Sequence, residues 1–224
     1  IYGHGSGGII TKDENTNRVI SFPNTKQYKT LVTDLHTHSV FSDGHVWPNI
    51  RVGEALCDGV DVLAITEHLE YQPLRSDIPH PDRNRSFIEA KAAAGKQDIL
   101  IINGSEITRN MPPGHINAVF VKDANKLLNV DLPKNEKDKE SFREKMREMQ
   151  WGGADSVKEH YILANRWPAE KAIEAANKQG AFLFWNHPNW SRQAPDGVAR
   201  LTPMHREMIS NGYLHGIEVV NGNG

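Results

Sequence analysis

The sequence has 224 residues, which suits one large domain, and 38% of them are hydrophobic, which is enough for one sizeable core. The formal net charge is −2 and no basic cluster is interleaved with aromatic residues, so we do not expect an extended nucleic acid as a partner, whereas a small anionic substrate is compatible with this charge. No apolar run approaches about 18 residues, so we expect a soluble protein, either cytoplasmic or, after loss of a signal peptide, periplasmic or secreted. The single cysteine, Cys57, excludes an internal disulfide and is expected to be buried in a helix.

The predicted elements alternate between strands and helices along most of the chain. Residues 1–29 are rich in Gly, Asn, Thr and Lys and predict a surface arm, whereas residues 30–224 predict one domain. Apolar runs predict strands over 31–36, 60–66, 98–103, 116–121, 181–185 and 216–220. Proline starts and glycine stops predict helices over 49–58, 85–94, 169–178 and 203–210, and charged patterns add helices over 137–150 and 155–163. This alternation predicts an α/β fold with a parallel sheet, closed into a barrel.

Residues of the kind that bind metals lie at or beside the ends of the predicted strands. His36 and His38 are two positions apart, and side chains with this spacing on a strand point to the same face. In a parallel barrel the carboxyl ends of all strands open on one face, so side chains far apart in sequence meet there. Each member has an ordinary alternative as a cap, an ion-pair partner or a turn residue. Imidazole and carboxylate ligands without a thiolate cluster suit divalent Zn, Mn or Fe, so the sequence predicts a metal site from His36, His38, Asp43, His68, Glu106, His115 and His187.

In the order in which they occur, these motifs resemble those of the PHP (polymerase and histidinol phosphatase) superfamily of metal-dependent phosphoesterases. The resemblance covers residues 29–224, and segments 46–52 and 112–117 resemble a bacterial phosphodiesterase branch of that family. The motifs are Asp34-Leu35-His36-Thr37-His38-Ser39, Ser42-Asp43-Gly44, Thr66-Glu67-His68, Gly104-Ser105-Glu106, Gly114-His115 and Asn186-His187-Pro188.

The resemblance implies a distorted (β/α)7 barrel with two or three divalent ions at its mouth. The implied ligands are His36 and His38 for the first ion, His115 and His187 for the second, Asp43 and His68 for the third, and Glu106 as the bridge between the first two. The implied reaction is hydrolysis of a small organic or nucleotide phosphate ester, with diesters favoured over monoesters, by a hydroxide that the ions share. A noncatalytic metal-stabilised module, a phosphomonoesterase, and metal-assisted hydrolysis of an amide or acyl bond are the alternatives.

The sequence also departs from the family pattern at its end. Family members carry a further Asp-x-His motif after a strand like 216–220, and the sequence stops before it, so we expect a C-terminally incomplete domain without the seventh strand. Arg109 and Arg75 are expected to bind phosphate oxygens near the mouth. Asp34 and Glu67 are expected to orient ligand histidines through hydrogen bonds. The oligomeric state does not follow from the sequence.

Overall fold

The computed structural model describes residues 19–78, 80, 82–128 and 169–221. Within these ranges six strands form one sheet in the order β1 to β6, and four helices pack around it. The strands are β1 (Thr33–Asp34), β2 (Val62–Ile65), β3 (Leu100–Ile107), β4 (Ile116–Val119), β5 (Phe182–Trp185) and β6 (Gly216–Ile217). The helices are α1 (Pro48–Cys57), α2 (Arg85–Ala94), α3 (Ala169–Lys178) and α4 (Pro203–Ser210), with a 3₁₀ helix at Ala124–Leu127. The predicted α/β class is confirmed.

The helix positions follow from local sequence signals. Pro48 and Pro203 start α1 and α4, where a proline ring suits the first turn, and Gly95, with φ +55°, ends α2. Cys57 is exposed at the end of α1 and not buried as expected. The predicted helices over 137–150 and 155–163, and residues 1–18 of the predicted arm, lie outside the described residues. None of the helices in the described ranges combines the length and apolarity that crossing a bilayer requires.

The prediction of a wholly parallel sheet is wrong for β4. This strand runs antiparallel to both β3 and β5, whereas β1, β2 and β3 are mutually parallel and β6 is parallel to β5. Only residues 108–115 join β3 to β4, which is too short for the crossover of a dozen or more residues that a parallel connection needs. The reversal puts the start of β4 at the edge where its neighbours end.

The third strand is longer than predicted and includes Glu106. Its second half continues the ladder beside β4, where Gly104 pairs with Val119 and Glu106 with Asn117. Gly104 directly follows the predicted strand end at residue 103. The absence of a side chain there lets Thr66 approach the backbone closely, because a Cβ on Gly104 would lie 2.8 Å from Thr66 Cγ2. Glu106 is therefore held by a rigid strand and not by a loop.

The sheet curls until its two edge strands approach each other. Although β1 and β6 are at opposite ends of the strand order, His36 after β1 and Glu218 after β6 come within 2.9 Å, from Nδ1 to Oε1. Helices α1 and α2 pack on one half of the convex face, and α3 and α4 pack on the other half. The concave face is apolar at the strand starts, where Val62, Ile102 and Phe184 pack together. Its polar side chains are concentrated at the opposite end, which we call the mouth.

His205 links α4 to the loop that carries His115. The imidazole is fully buried, with Nε2 2.6 Å from the Pro113 carbonyl oxygen and Nδ1 3.1 Å from the Thr202 backbone nitrogen. Since Nδ1 accepts from this N–H, a proton on that nitrogen would break the bond. Burial also disfavours the charged imidazole and lowers the pKa of His205, and the hydrogen bond to Pro113 opposes this shift only in part.

We expect His205→Ala to lower the free energy of unfolding at neutral pH by on the order of 2–4 kcal/mol, because the buried Pro113 carbonyl and the part-buried Thr202 N–H lose their partner. A lowered folded-state pKa means that the unfolded chain binds more protons, so this contribution is complete above about pH 6.5 and declines as the pH falls below it. Urea unfolding at pH 5.5 and 7.5 measures both effects, with exposed His45→Ala as the control. An equal pH dependence in wild type and His205→Ala would contradict the assignment.

Candidate metal centre

The seven side chains that the sequence predicts as ligands come together at the mouth. His36 and His38 follow β1, His68 follows β2, and His187 follows β5. Asp43 lies in the loop before α1, and Glu106 lies in β3. His115 precedes β4 and reaches the mouth only because that strand is antiparallel. His115 lies at the mouth beside Glu106 although the direction predicted for its strand was wrong.

Glu106 is at the centre of the cluster and is fully buried. Its Oε1 also accepts a hydrogen bond of 2.9 Å from the Asn186 side-chain amide. Five imidazoles surround the two carboxylate oxygens. The nitrogen-to-oxygen distances are 3.0 Å for His68, 3.1 Å for His38 and 3.6 Å for His36 to Oε2, and 2.9 Å for His115 and 3.4 Å for His187 to Oε1.

The Oε2 atom of Glu106 is buried without a geometrically acceptable hydrogen bond from the described residues. A buried carboxylate oxygen left in this way is costly unless a cation or a donor faces it. Histidine nitrogens and carboxylate oxygens are together the ligands that Zn, Mn and Fe ions prefer. The donor set and the orphaned oxygen therefore fit a centre for divalent cations.

The charges in the cluster shift one another's protonation. Burial alone would raise the pKa of Glu106, but the neighbouring His68 and His36 hold it well below its ordinary value. Burial alone would lower the pKa of His36 and His68, but the charge of Glu106 raises each to about 10. At His115 burial prevails and lowers the pKa. The protons on His36 and His68 compensate the buried carboxylate, and a divalent cation would take their place.

Three overlapping groups of side chains have ligand atoms within 4.8 Å of one another: His36, His38 and Glu106; His38, Asp43 and His68; and His68, Glu106 and His115. The first group contains both histidines of the motif that begins at Asp34. The second brings Asp43 to the cluster, with Oδ2 3.3 Å from His68 Nε2. Burial would raise the pKa of Asp43, but its bond to His68 lowers it. His187 is outside these three groups but lies beside Glu106, and its ring is 5.0 Å from that of His115 and 5.7 Å from that of His36.

Glu67 lies outside the cluster and is connected to His38 through the Ser42 hydroxyl. It is buried and accepts hydrogen bonds from the backbone N–H of Ser39, at 3.0 Å, and from the hydroxyl groups of Ser39 and Ser42. Because the Ser42 hydroxyl donates to Glu67, its oxygen can accept from His38 Nδ1, which is 3.2 Å away. This arrangement leaves Nε2 of His38 to face Glu106. An orienting effect of Glu67 on His38 would therefore pass through Ser42, and the expected role stays a prediction.

Asp34, His45 and His80 lie in or near the first histidine motif but do not belong to the cluster. Asp34 accepts a hydrogen bond of 3.2 Å from the backbone N–H of His36, so it contacts the main chain and not the imidazole that it was expected to orient. His45 is exposed. His80 is buried, with Nε2 2.6 Å from the Phe41 carbonyl oxygen. Neither His45 nor His80 belongs to the three groups.

The two arginines expected at the phosphate differ in their surroundings. Arg109 is buried, pairs with the fully buried carboxylate of Glu70 and donates to the Thr108 carbonyl at 3.0 Å. This placement argues against the expected phosphate contact of Arg109, because its guanidinium is committed to the interior. Arg75 is half-buried in the loop after β2, where burial and then the charge of Arg75 lower the pKa of Arg83 to about 10. A phosphate contact of Arg75 stays a prediction.

Several residues of the site were not predicted. Gln193 accepts a hydrogen bond from Trp185 Nε1 at 2.8 Å and places its amide nitrogen 2.8 Å from His187 Nδ1. The Trp190 ring lies 5.3 Å from the ring of His115 and 5.2 Å from that of His187. These residues lie in a loop, and no periodicity marks them. Glu218 is different, because it directly follows a parallel strand. It therefore fits the rule that side chains just beyond the carboxyl ends of parallel strands meet at the mouth, which identified His68 and His187.

The solved structures that are similar to this chain include the following two. A crystal structure of a two-domain protein from Bacteroides vulgatus, which contains a predicted PHP-like metal-dependent phosphoesterase, matches 92% of this chain at 42% identity with a TM-score of 0.69. The match covers 49% of that protein, so this chain spans about half its length. A proposed metal-dependent phosphoesterase from Bifidobacterium adolescentis matches 88% of this chain and 80% of its own at 19% identity, with a TM-score of 0.52, which shows a shared fold.

No protein-family model matches the sequence, and no curated protein matches it significantly. The curled sheet with a histidine and carboxylate cluster at its mouth defines an α/β protein with a candidate centre for divalent metal ions. Its similarity to the Bacteroides vulgatus structure extends over nearly the whole chain, in sequence as well as in fold. The resemblance to PHP-like metal-dependent phosphoesterases that the motifs predicted is confirmed by this match.

Proposed function

We propose that this protein is a metal-dependent phosphoesterase that hydrolyses a small organic or nucleotide phosphate ester, with diesters favoured over monoesters. The observation that carries the proposal is the fully buried Glu106 carboxylate among five imidazoles, with Asp43 beside two of them. A core that needed only stability would not gather so many ionisable groups, because burying them is costly. The PHP-like metal-dependent phosphoesterase within the Bacteroides vulgatus protein supports the reaction class.

The proposed ligand roles, for Zn, Mn or Fe ions, are the ones that the family resemblance implies. His36 and His38 hold the first ion, His115 and His187 the second, and Asp43 and His68 the third, with Glu106 between the first two. Divalent ions at such a centre lower the pKa of water and neutralise phosphate oxygens as charge develops. His38, His68 and Glu106 each occur in two of the groups, so neighbouring ion positions share candidate ligands.

The side chains around the cluster shape the substrate site. The Tyr71 ring lies 5.7 Å from that of His68, and Trp190 covers His115 and His187 on the other side. These aromatic walls exclude water and offer apolar contact to the organic part of an ester. With Arg109 paired to Glu70, the mouth has fewer cationic groups for a doubly charged monoester. This supports a singly charged diester, with Arg75 as the candidate contact from the protein.

We infer that the complete architecture is the distorted (β/α)7 barrel. Six strands already curl far enough for His36 and Glu218 to meet across the two edges. Away from this contact the edges leave apolar side chains open, since Ile217 is 46% and Val219 84% exposed. A seventh strand between β6 and β1 would cover these side chains.

The proposal is tested by incubating the full-length protein with Mn or Zn and measuring hydrolysis of bis(p-nitrophenyl) phosphate and p-nitrophenyl phosphate. We expect turnover of the diester to exceed that of the monoester, and chelation to abolish both. p-Nitrophenyl acetate and a p-nitroanilide serve as controls for ester and amide hydrolysis. Full metal loading without turnover of either phosphate would contradict the proposal and favour a metal-stabilised scaffold.

A further inference from the structure

Glu218 directly follows β6 and contacts two histidines of the mouth. Its Oε1 is 2.9 Å from Nδ1 of His36, and its Oε2 accepts a hydrogen bond of 2.7 Å from the backbone N–H of His187. The Asn221 side-chain amide also donates to Oε2 at 3.2 Å. The Glu218 side chain is 13% exposed and that of His36 is 11% exposed, so water competes little for these bonds.

The first contact fixes which nitrogen of His36 faces the centre. An ionised carboxylate can only accept, so Nδ1 of His36 carries a hydrogen and donates it to Glu218. The other nitrogen, Nε2, lies 3.1 Å from His38 Nε2 and 3.6 Å from Glu106 Oε2. Histidines that bind metals commonly donate their second N–H to a carboxylate, which fixes the ring orientation and raises its basicity. Glu218 gives His36 this arrangement.

The second contact acts on the main chain at His187. This residue has φ +28°, a value at which non-glycine backbone is strained, so it needs support from its surroundings. The bond from its N–H to Glu218 Oε2 gives that support. One carboxylate thus holds the ring of a residue that follows β1 and the backbone of a residue that follows β5.

We propose that Glu218 is a positioning residue that sets His36 and His187 together and thereby couples the first and second ion positions. The inference rests on the proposed function for its consequence in metal binding. The ring orientation of His36 does not depend on that function. Glu218 does not touch Glu106 or any of the three ligand groups except through His36, so it would act on catalysis only through the ligands.

The test compares Glu218→Gln and Glu218→Ala with Glu207→Gln, an exposed substitution of the same kind on α4. A glutamine amide cannot accept at both of its atoms, so it can keep one contact but not both. We expect zinc affinity to fall on the order of 10-fold in Glu218→Gln and on the order of 100-fold in Glu218→Ala. At saturating zinc we expect both variants to recover kcat, because Glu218 does not contact the reacting atoms. Glu207→Gln should match the wild type throughout.

A second measurement does not depend on turnover. In protein labelled with ¹⁵N-histidine, we expect a hydrogen-bonded Nδ1–H signal of His36, assigned with His36→Gln, in wild type and Glu207→Gln. The signal should disappear in Glu218→Ala, with or without zinc. Its persistence in Glu218→Ala, or zinc affinities equal to wild type in both Glu218 variants, would overturn the inference. If wild type binds zinc without hydrolysing phosphate esters, the proposed function fails while these two readouts still decide the role of Glu218.

Discussion

Replacing Glu106 with Gln is expected to remove phosphoester hydrolysis almost completely, by at least on the order of 1,000-fold, and to reduce the number of bound divalent ions. The substitution keeps the size of the side chain but deletes the negative charge that five imidazoles surround. It also replaces an acceptor oxygen with an NH₂ donor, which faces imidazole nitrogens or the Asn186 amide. Zinc content by elemental analysis and diester turnover measure the two effects.

The matched control for Glu106→Gln is Glu89→Gln, which changes an exposed carboxylate paired with Arg85 on α2. We expect this control to retain ions and activity, because surface pairs contribute little. Circular dichroism separates loss of the centre from loss of the fold. A folded Glu106→Gln protein with full zinc content and wild-type turnover would exclude Glu106 from the centre.

Replacing Arg109 with Ala is expected to lower the free energy of unfolding by about 3–5 kcal/mol. The reason is the fully buried carboxylate of Glu70, which loses its ion-pair partner and, among the described residues, keeps the hydrogen bond of 2.8 Å from the Thr108 backbone N–H as its one remaining partner. Urea unfolding monitored by tryptophan fluorescence measures the change. The double variant Arg109→Met with Glu70→Leu should recover most of the loss, since a buried ion pair can be replaced by apolar side chains at little cost.

The same experiment separates the structural role of Arg109 from the phosphate contact that the sequence suggested. An arginine that bound substrate would raise KM when removed and leave unfolding nearly unchanged. We expect the opposite pattern: a large change in stability, and a KM that changes little in the fraction that remains folded. A stable Arg109→Ala protein with a strongly raised KM would restore the original expectation.

The gathering of the cluster was predictable because it rests on short-range periodicity and on the ends of strands. His36 and His38 share a face since they are two residues apart, and His68 and His187 directly follow apolar runs. Glu106 was placed at the right end of its strand although it lies inside the ladder. These signals are local, so one sequence is enough to read them.

Features set by long-range pairing were not predictable. The direction of β4 depends on which neighbours accept its hydrogen bonds, and the clue in residues 108–115 is only their short length. Arg109 resembled a phosphate contact because its partner Glu70 is 39 positions away and nothing in the local sequence joins them. Gln193 and Trp190 reach the histidines through an irregular loop, whose course depends on packing.

The contact between His36 and Glu218 joins the two edges of the curled sheet, so the ionic occupancy of the mouth and the stability of the fold are thermodynamically linked. Each edge strand has a ladder of only two residue pairs, which gives the main chain little cohesion there. Ions held by His36 near one edge and by His187 near the other, with Glu106 shared between them, would favour the closed arrangement by mass action. At a free concentration 100 times the dissociation constant, this linkage is worth about 2.7 kcal/mol. The ion concentration around the protein would therefore regulate its persistence as well as its rate.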